Sequence, residues 1–284
     1  TALARAGGAA VRVVGRPAFD LARPESIEAL FARPPALVVN AAAWTGVDEA
    51  EDHPAAAFAA NRDGPARLAA LCAAHGVGLI HISTDYVFDG QKGAPYVEDD
   101  PVAPIGVYGA SKLAGERAVL AAHPGATVLR TAWVYSPTGR NFARTILSAA
   151  ARGAPLRVVA DQIGCPTSAG ALAQAVLRVA AAPVPGLFHA VSEGATSWHG
   201  FATALLAEAA KLGHPAPEIL PVTTAEWPTR AARPADSRLD CRRLATTFGH
   251  RLPPWREDVA AVVAGILGEN RPSPVLPGRA KDAP

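Results

Sequence analysis

The chain carries short runs that are apolar almost throughout, where a half-exposed strand would alternate: VRVVG at 11–15, ALVVNAAA at 36–43, VGLIHIST at 77–84, ATVLRTAWVY at 126–135 and GLFHAVS at 186–192. A strand that does not alternate must be covered on both faces. Between these runs lie helix-like segments, GPARLAALCAAHG at 64–76, VYGASKLAGERAVLAAH at 107–123 and TSAGALAQAVLRVAA at 167–181. Buried strands separated by helices of about 10–15 residues predict α/β architecture: a doubly wound parallel sheet with helices on both sides. Ser26 is a plausible N-cap for a helix over IEALFA. A further helix around Pro54–Asn61 leads into the segment at 64–76.

In such a sheet, ligands bind at the carboxyl ends of the strands, so polar chemistry should collect where each run stops. It does: Asp20 follows the first run, Asn40 lies in the second, Ser83, Thr84 and Asp85 close the third, and Trp133–Ser136 end the fourth. Past residue 140 the rhythm loosens, into helices over NFARTILSAAARG and WHGFATALLAEAAKLG, a short strand LRVVA, proline-rich loops and a last helix near 257–267. These predict a smaller C-terminal lobe over the ligand edge.

VYGASKLAGE at 107–116 places Tyr108 and Lys112 four apart with only small residues between them. On a helix the two share one face. A phenol has a pKa of about 10, and an ammonium beside it favours the phenolate. Gly109, Ala110 and Ser111 would let something flat approach closely. Alone, such a spacing is common on helix surfaces. Thr84, at the end of an apolar strand, adds a hydroxyl able to bind the oxygen that Tyr108 protonates. Thr84, Tyr108 and Lys112 on a strand–helix frame resemble the constellation of the short-chain dehydrogenase/reductases. NAAA at 40–43 resembles that family's segment beside the nicotinamide, although small residues at a strand end also serve packing.

The series VVNAAAWTGVDEAE, HISTDYVFDG, PIGVYGASKLAGE, LRTAWVYSPTGRNF, DQIGCPTSA and RPADSRLD is similar to the dTDP-4-dehydrorhamnose reductases, an extended branch of that superfamily. The resemblance runs from about residue 10 to 265. It implies a Rossmann-type fold and reduction of the 4-keto group of dTDP-4-dehydro-L-rhamnose to dTDP-L-rhamnose by NADPH or NADH. It also implies roles. Tyr108 supplies the proton, Lys112 holds the nicotinamide ribose, and Thr84 orients the keto oxygen. Asp20 and Leu21 meet the adenine end, while Ala43, Trp44, Thr45 and Ile82 lie along the cofactor, Trp44 replacing a smaller ring. Asp85 and Trp133 line the sugar pocket. Arg233 either meets the diphosphate or is an exposed loop arginine, and Arg16 is a candidate for a 2′-phosphate. Asn141 and Gln162 are expected to tie down loops, and His81 and His189 to be satisfied core histidines. Mg2+ at a dimer interface, and a homodimer itself, belong to the same expectation.

The implied domains are 1–145 with 168–192 for the dinucleotide and 146–167 with 193–270 for the sugar nucleotide, with a polar, proline-rich disordered tail at 271–284. Gly7-Gly8 reads as a helix stop. The first strand and glycine-rich turn expected of a dinucleotide fold are not recognisable in the sequence. Thr1 stands first and methionine is absent, so a fragment or processed chain with impaired cofactor binding is expected. Net charge is +2, from 27 basic and 25 acidic residues without blocks, giving no nucleic-acid or membrane-surface footprint. Three scattered cysteines, without a CxxC, fit a reducing cytoplasm better than a disulfide or zinc framework. No apolar run reaches the roughly 18 residues of a membrane span. Two other readings stay open. One is a partner-binding protein resembling the regulatory subunit of methionine adenosyltransferase. The other is a nucleotide-sugar epimerase or dehydratase, the dehydratase disfavoured by Tyr86 where an acid is expected.

Overall fold

The computed structural model describes residues 1–153 and 155–269; residue 270 and the tail expected at 271–284 lie outside them. In chain order, the strands of four residues or more are β1 (Leu37–Asn40), β2 (Gly78–Thr84), β3 (Thr127–Thr131), β4 (Leu156–Val159), β5 (Gly186–His189) and β6 (Ile219–Val222). The helices of nine residues or more are α1 (Gly64–Ala74), α2 (Val107–Ala122), α3 (Phe142–Ala150), α4 (Ala169–Ala181), α5 (Trp198–Lys211) and α6 (Val259–Glu269). A central sheet runs β1-β2-β3-β5, all parallel, with Val39 beside Ile80, Ile82 beside Leu129 and Leu129 beside Phe188.

The absence of alternation in the strands has the expected cause. Leu79 and Val128 enter one core with Ile27, Leu68 and Val119, under α1 and α2. Their neighbours Ile80 and Leu129 enter a second core with Val176, Val179 and Phe188, under α4. Each such side chain contributes about 1.5–3 kcal/mol by leaving water, so a polar residue on either face would be costly. The C-terminal part has a core of its own, built by Ile146, Leu147, Phe201, Leu205 and Val263 from α3, α5 and α6, with Trp255 from the loop before α6. Beside it β6 pairs in parallel with β4. The β6 strand lies in a stretch that reads as proline-rich loop. Pro221 cannot donate to a ladder, but a two-stranded edge tolerates that.

Two expectations are corrected. VRVVG is not a strand: Val13 and Val14 are 53% and 44% exposed and carry no ladder. Among the described residues no strand lies beside it, and β sequence alone does not make a strand without a pairing partner. Nor does Ser26 cap a helix. Pro24 begins the helix Pro24–Glu28, a position its fixed φ suits. Ser26 lies inside that helix, donating to Asp20 O at 2.7 Å and accepting from Asp20 N at 3.0 Å. It thereby shapes the Asp20 loop. The helix expected around 54–61 is α-helical over Pro54–Phe58 and reaches α1 through a π turn at Ala59–Asp63.

Candidate active site

Thr84 is the last residue of β2. Its Oγ1 accepts from Tyr86 N–H at 3.2 Å, capping the turn Asp85–Val87, and donates to Asp85 Oδ1 at 3.0 Å. Helix α2 begins at Val107, one residue before Tyr108. Its N-cap, Gly106, has no side-chain acceptor, and Glu51 supplies one by accepting from Val107 N–H at 2.8 Å. A carboxylate there satisfies an orphan donor and favours the helix dipole. Tyr108 therefore sits on an anchored first turn, its phenol within the influence of the Thr84 hydroxyl and the Asp85 carboxylate.

The electrostatics differ from the sequence expectation. Burial pushes the Tyr108 phenol up to about 12, with Thr84 pulling it back and Asp85 adding to the rise. Lys112 is not among the groups that shift it. The Lys112 ammonium, 2% exposed, donates to Ile82 O at 2.7 Å. Burial brings it down to about 8, against a smaller opposing pull from Glu116. Desolvation outweighs charge pairing at both groups. The consequence is a phenol that keeps its proton at neutral pH beside a largely protonated amine.

The small residues of α2 also serve a purpose the sequence did not suggest. A Cβ at Gly109 would collide with the Tyr86 carbonyl oxygen, and one at Gly115 with that of Asn61. Ser111 is buried and accepts from Asn61 Nδ2 at 2.9 Å. Close approach here is by the protein's own backbone. Asn61 extends the same contact to the loop after β1, accepting from Trp44 N–H at 2.8 Å and donating to Trp44 O at 3.0 Å. It thus ties the Trp44 backbone to Ser111 of α2, the helix that carries Tyr108. Sequence reasoning missed Asn61; its one signal is a poor helix former inside a helical pattern.

Asn40 turns inward, its Nδ2 on His81 Nδ1 at 3.0 Å, while its Oδ1 accepts from Ala42 N–H. His81 and His189 are core histidines, but each is only half satisfied. His189 Nδ1 meets Tyr96 O at 3.1 Å, and Nε2 of both rings lacks a partner. Burial holds His81 well below the ordinary range, with Lys112 adding to the effect, and brings His189 down to about 3, so both rings are neutral. Asp20 accepts from Ala22 N–H at 3.0 Å, and Leu21 packs its backbone where a side chain on Gly64 would stand. Arg16 pairs with Asp20 at 3.5 Å in the open.

Arg233 is no exposed loop residue. It forms a two-pronged pair with Asp48, at 3.1 and 2.8 Å, reaching 185 positions back along the chain. It also acts on Tyr86, whose ring meets Tyr108 edge-on at 5.5 Å. Trp133 stands two residues past β3 with φ +47° and stacks on Trp198. Gln162 links Trp198 Nε1 to Thr224 Oγ1, and Asn141 caps α3 while donating to Ser136 O. The structure therefore gathers Thr84, Asp85, Tyr108 and Lys112 at the ends of β2 and α2, with Trp44, Trp133 and Arg233 on the elements around them.

The donor set suits a nicotinamide dinucleotide. One N–H of the buried Lys112 ammonium is used, leaving donors for ribose hydroxyls. Ser83 Oγ, Asp85 Oδ2 and Thr131 Oγ1, all at the carboxyl ends of β2 and β3, are buried without partners. Unpaired buried polar atoms are costly and concentrate where a ligand completes them. Among the described residues no three His, Cys, Asp or Glu side chains gather as metal ligands. No described helix is long and apolar enough to cross a membrane.

Comparison with known proteins agrees with this geometry. The family model described as RmlD substrate binding domain matches residues 1–267. A dTDP-4-dehydrorhamnose reductase of Sinorhizobium fredii is 45% identical over 269 residues, covering 92% of this chain and 91% of the relative. A Streptomyces antibioticus protein described as a probable dTDP-4,6-dihydroxy-2-methyloxan-3-one 4-ketoreductase is 42% identical over 266 residues, covering 92% and 89%. The structure of the Bacillus anthracis dTDP-4-dehydrorhamnose reductase in complex with NADP superposes with a TM-score of 0.83 at 31% identity, over 88% of each chain. By fold, by the residues at its sheet edge and by likeness over nearly its whole length, this chain belongs to the dTDP-4-dehydrorhamnose reductase family.

Proposed function

We propose that this protein reduces the 4-keto group of dTDP-4-dehydro-L-rhamnose, giving dTDP-L-rhamnose, with NADPH or NADH as reductant. The carrying observation is Tyr108 beside the Thr84 hydroxyl and Lys112 on Ile82 O, both at the end of β2, in a chain of this family. Bound there, the reduced nicotinamide supplies a hydride to C4. Lys112 holds its ribose, Asp20 and Leu21 the adenine end, and Ala43, Trp44, Thr45 and Ile82 the stretch between. Thr84 orients the keto oxygen, and Tyr108 gives that oxygen its proton as the C4 alkoxide forms. A phenol raised to about 12 still has that proton at neutral pH, and an alkoxide is basic enough to take it. Asp85 and Trp133 line the sugar. A diphosphate would have to compete with Asp48 for Arg233, which favours a structural role for that arginine.

The test follows nicotinamide absorbance with the keto sugar and identifies the product. Consumption of one NADPH per dTDP-rhamnose is the expected result. Unchanged absorbance with sugar interconversion would replace the reductase by an epimerase. A second reading, reduction of another dTDP-4-keto sugar, is favoured by the Streptomyces relative. Comparing the two sugars as substrates decides it. Equal Michaelis constants for NADPH in wild type and Arg16→Ala would remove Arg16 from 2′-phosphate binding.

The domain division of 1–145 with 168–192 against 146–167 with 193–270 is part of the proposal. The separate core around Phe201 and Trp255 supports a second lobe, but Tyr135, Ala143 and the helix Phe142–Ala150 belong to that core, which favours a boundary before residue 145. So are a homodimer, to be read by sedimentation with and without Mg2+, and a reducing cytoplasmic setting, supported by three free cysteines.

A further inference from the structure

Trp133 departs from ordinary geometry twice. Its φ of +47° is in the left-handed region, where it is the only residue besides glycines among those described. Its indole lies flat on Trp198, with centroids 3.4 Å apart and planes at 3°. Free aromatic pairs prefer offset or edge-on contacts with wider centroid separations. Backbone strain of this kind persists only where the surroundings over-determine it, and it collects at ligand sites.

The surroundings are visible. A side chain on Gly164 would occupy the space of the Trp133 ring. Trp198 begins α5, behind the N-cap Ser197, which accepts from Gly200 N–H. Its far contacts fix it: Nε1 donates to Gln162 Oε1 at 3.2 Å, Gln162 Nε2 donates to Thr224 Oγ1 at 3.1 Å, and Phe142 tilts against it at 4.5 Å. All of these partners lie beyond β3, from Phe142 to Thr224. Trp133 nevertheless remains half-buried, just past the carboxyl end of β3.

We propose that Trp198 is a positioning residue that holds Trp133, by stacking on it, in the orientation that receives the sugar nucleotide. This rests on the reading of Trp133 as a pocket residue. Trp198 needs no contact with substrate; it acts through the ring it presses on.

The experiment compares wild type, Trp198→Phe, Trp198→Leu and Gly164→Ala in two measurements that do not require turnover. One is the exciton couplet that stacked indoles give in circular dichroism, with Trp133→Phe as reference. The other is the calorimetric affinity for dTDP-L-rhamnose, with NADPH affinity alongside. Trp198→Leu should lose the couplet and weaken the sugar nucleotide about three- to tenfold, the scale of one aromatic pair, with NADPH binding within about twofold. Trp198→Phe should lose the couplet yet recover most of the affinity. Gly164→Ala, which crowds the Trp133 ring directly, should shift in the same direction as Trp198→Leu and decides the matter if that variant does not fold. Unchanged sugar-nucleotide affinity in Trp198→Leu and Gly164→Ala would overturn the proposal, as would equal losses for both ligands. Absence of keto-sugar reduction by the wild type would count against the reductase reading instead, leaving these binding comparisons intact.

Discussion

Two corners of the candidate site are built in opposite ways. At the sheet edge, Thr84, Asp85, Tyr108 and Lys112 come from one strand and the next long helix, and residues of that strand and the turn after it shape them: Tyr86 N–H two positions on from Thr84, and Ile82 O of β2, 30 positions before Lys112. At the C-terminal side, Trp133 is held by Trp198, and Arg233 by Asp48 from 185 positions away. The first corner sets proton chemistry through burial. The second sets shape through long-range stacking and ion pairing. Damage to the first should therefore be read in rate, and damage to the second in affinity.

The largest effect that could break this division is at Tyr108. Tyr108→Phe removes the donated proton and should lower kcat by about 10²–10⁴, the range of one general acid, with NADPH affinity nearly unchanged. A fall in cofactor affinity of similar size would place the tyrosine in binding instead. Next is the ion pair beneath Lys112, where Glu116 holds Arg130 at 2.9 and 2.7 Å with both side chains under 5% exposed. Glu116→Gln leaves a buried guanidinium uncompensated and should cost about 3–5 kcal/mol in urea unfolding. A loss under about 1 kcal/mol would show that water reaches this pair.

Asp85 gives the pH-dependent case. Burial lifts its carboxyl from 3.8 to about 6. The folded pKa lies above the unfolded one, so the contribution to stability is complete below about pH 4 and is lost as pH climbs through about 6. Asn does not titrate. Relative to wild type, Asp85→Asn should gain up to about 3 kcal/mol between pH 4 and 7, measured by denaturant titration at both pH values. A flat difference would mean that Asp85 keeps its ordinary pKa. Gly109→Ala pushes a methyl onto the Tyr86 carbonyl and should cost about 1–3 kcal/mol in thermal or urea unfolding. The smallest effect belongs to the exposed Arg230–Asp52 pair, 67% and 42% exposed. Arg230→Ala should change stability by less than about 1 kcal/mol and lose even that in high salt.

How far the sequence reached varied with the kind of contact. Runs such as VGLIHIST announced strands covered on both faces because the period of burial is written residue by residue. VRVVG carries the same signal and is not a strand, since pairing depends on a neighbour that composition cannot reveal. Gly109 and Ser111 were legible as small, but not what they make room for. Arg233 read equally well as a phosphate ligand or a solvated side chain, and the Asp48 carboxylate that engages it lies 185 positions away.

By itself, then, the sequence determined the parallel α/β layering and the placing of a threonine, a tyrosine and a lysine at one strand end. Both follow from periodicities that local geometry enforces. Only the tertiary structure decided that Tyr108 is raised rather than lowered, that Asn61 ties the Trp44 loop to α2, and that Trp133 leans on Trp198. Desolvation and long-range contacts depend on which distant residues exclude water from a group, and no short stretch of chain specifies that.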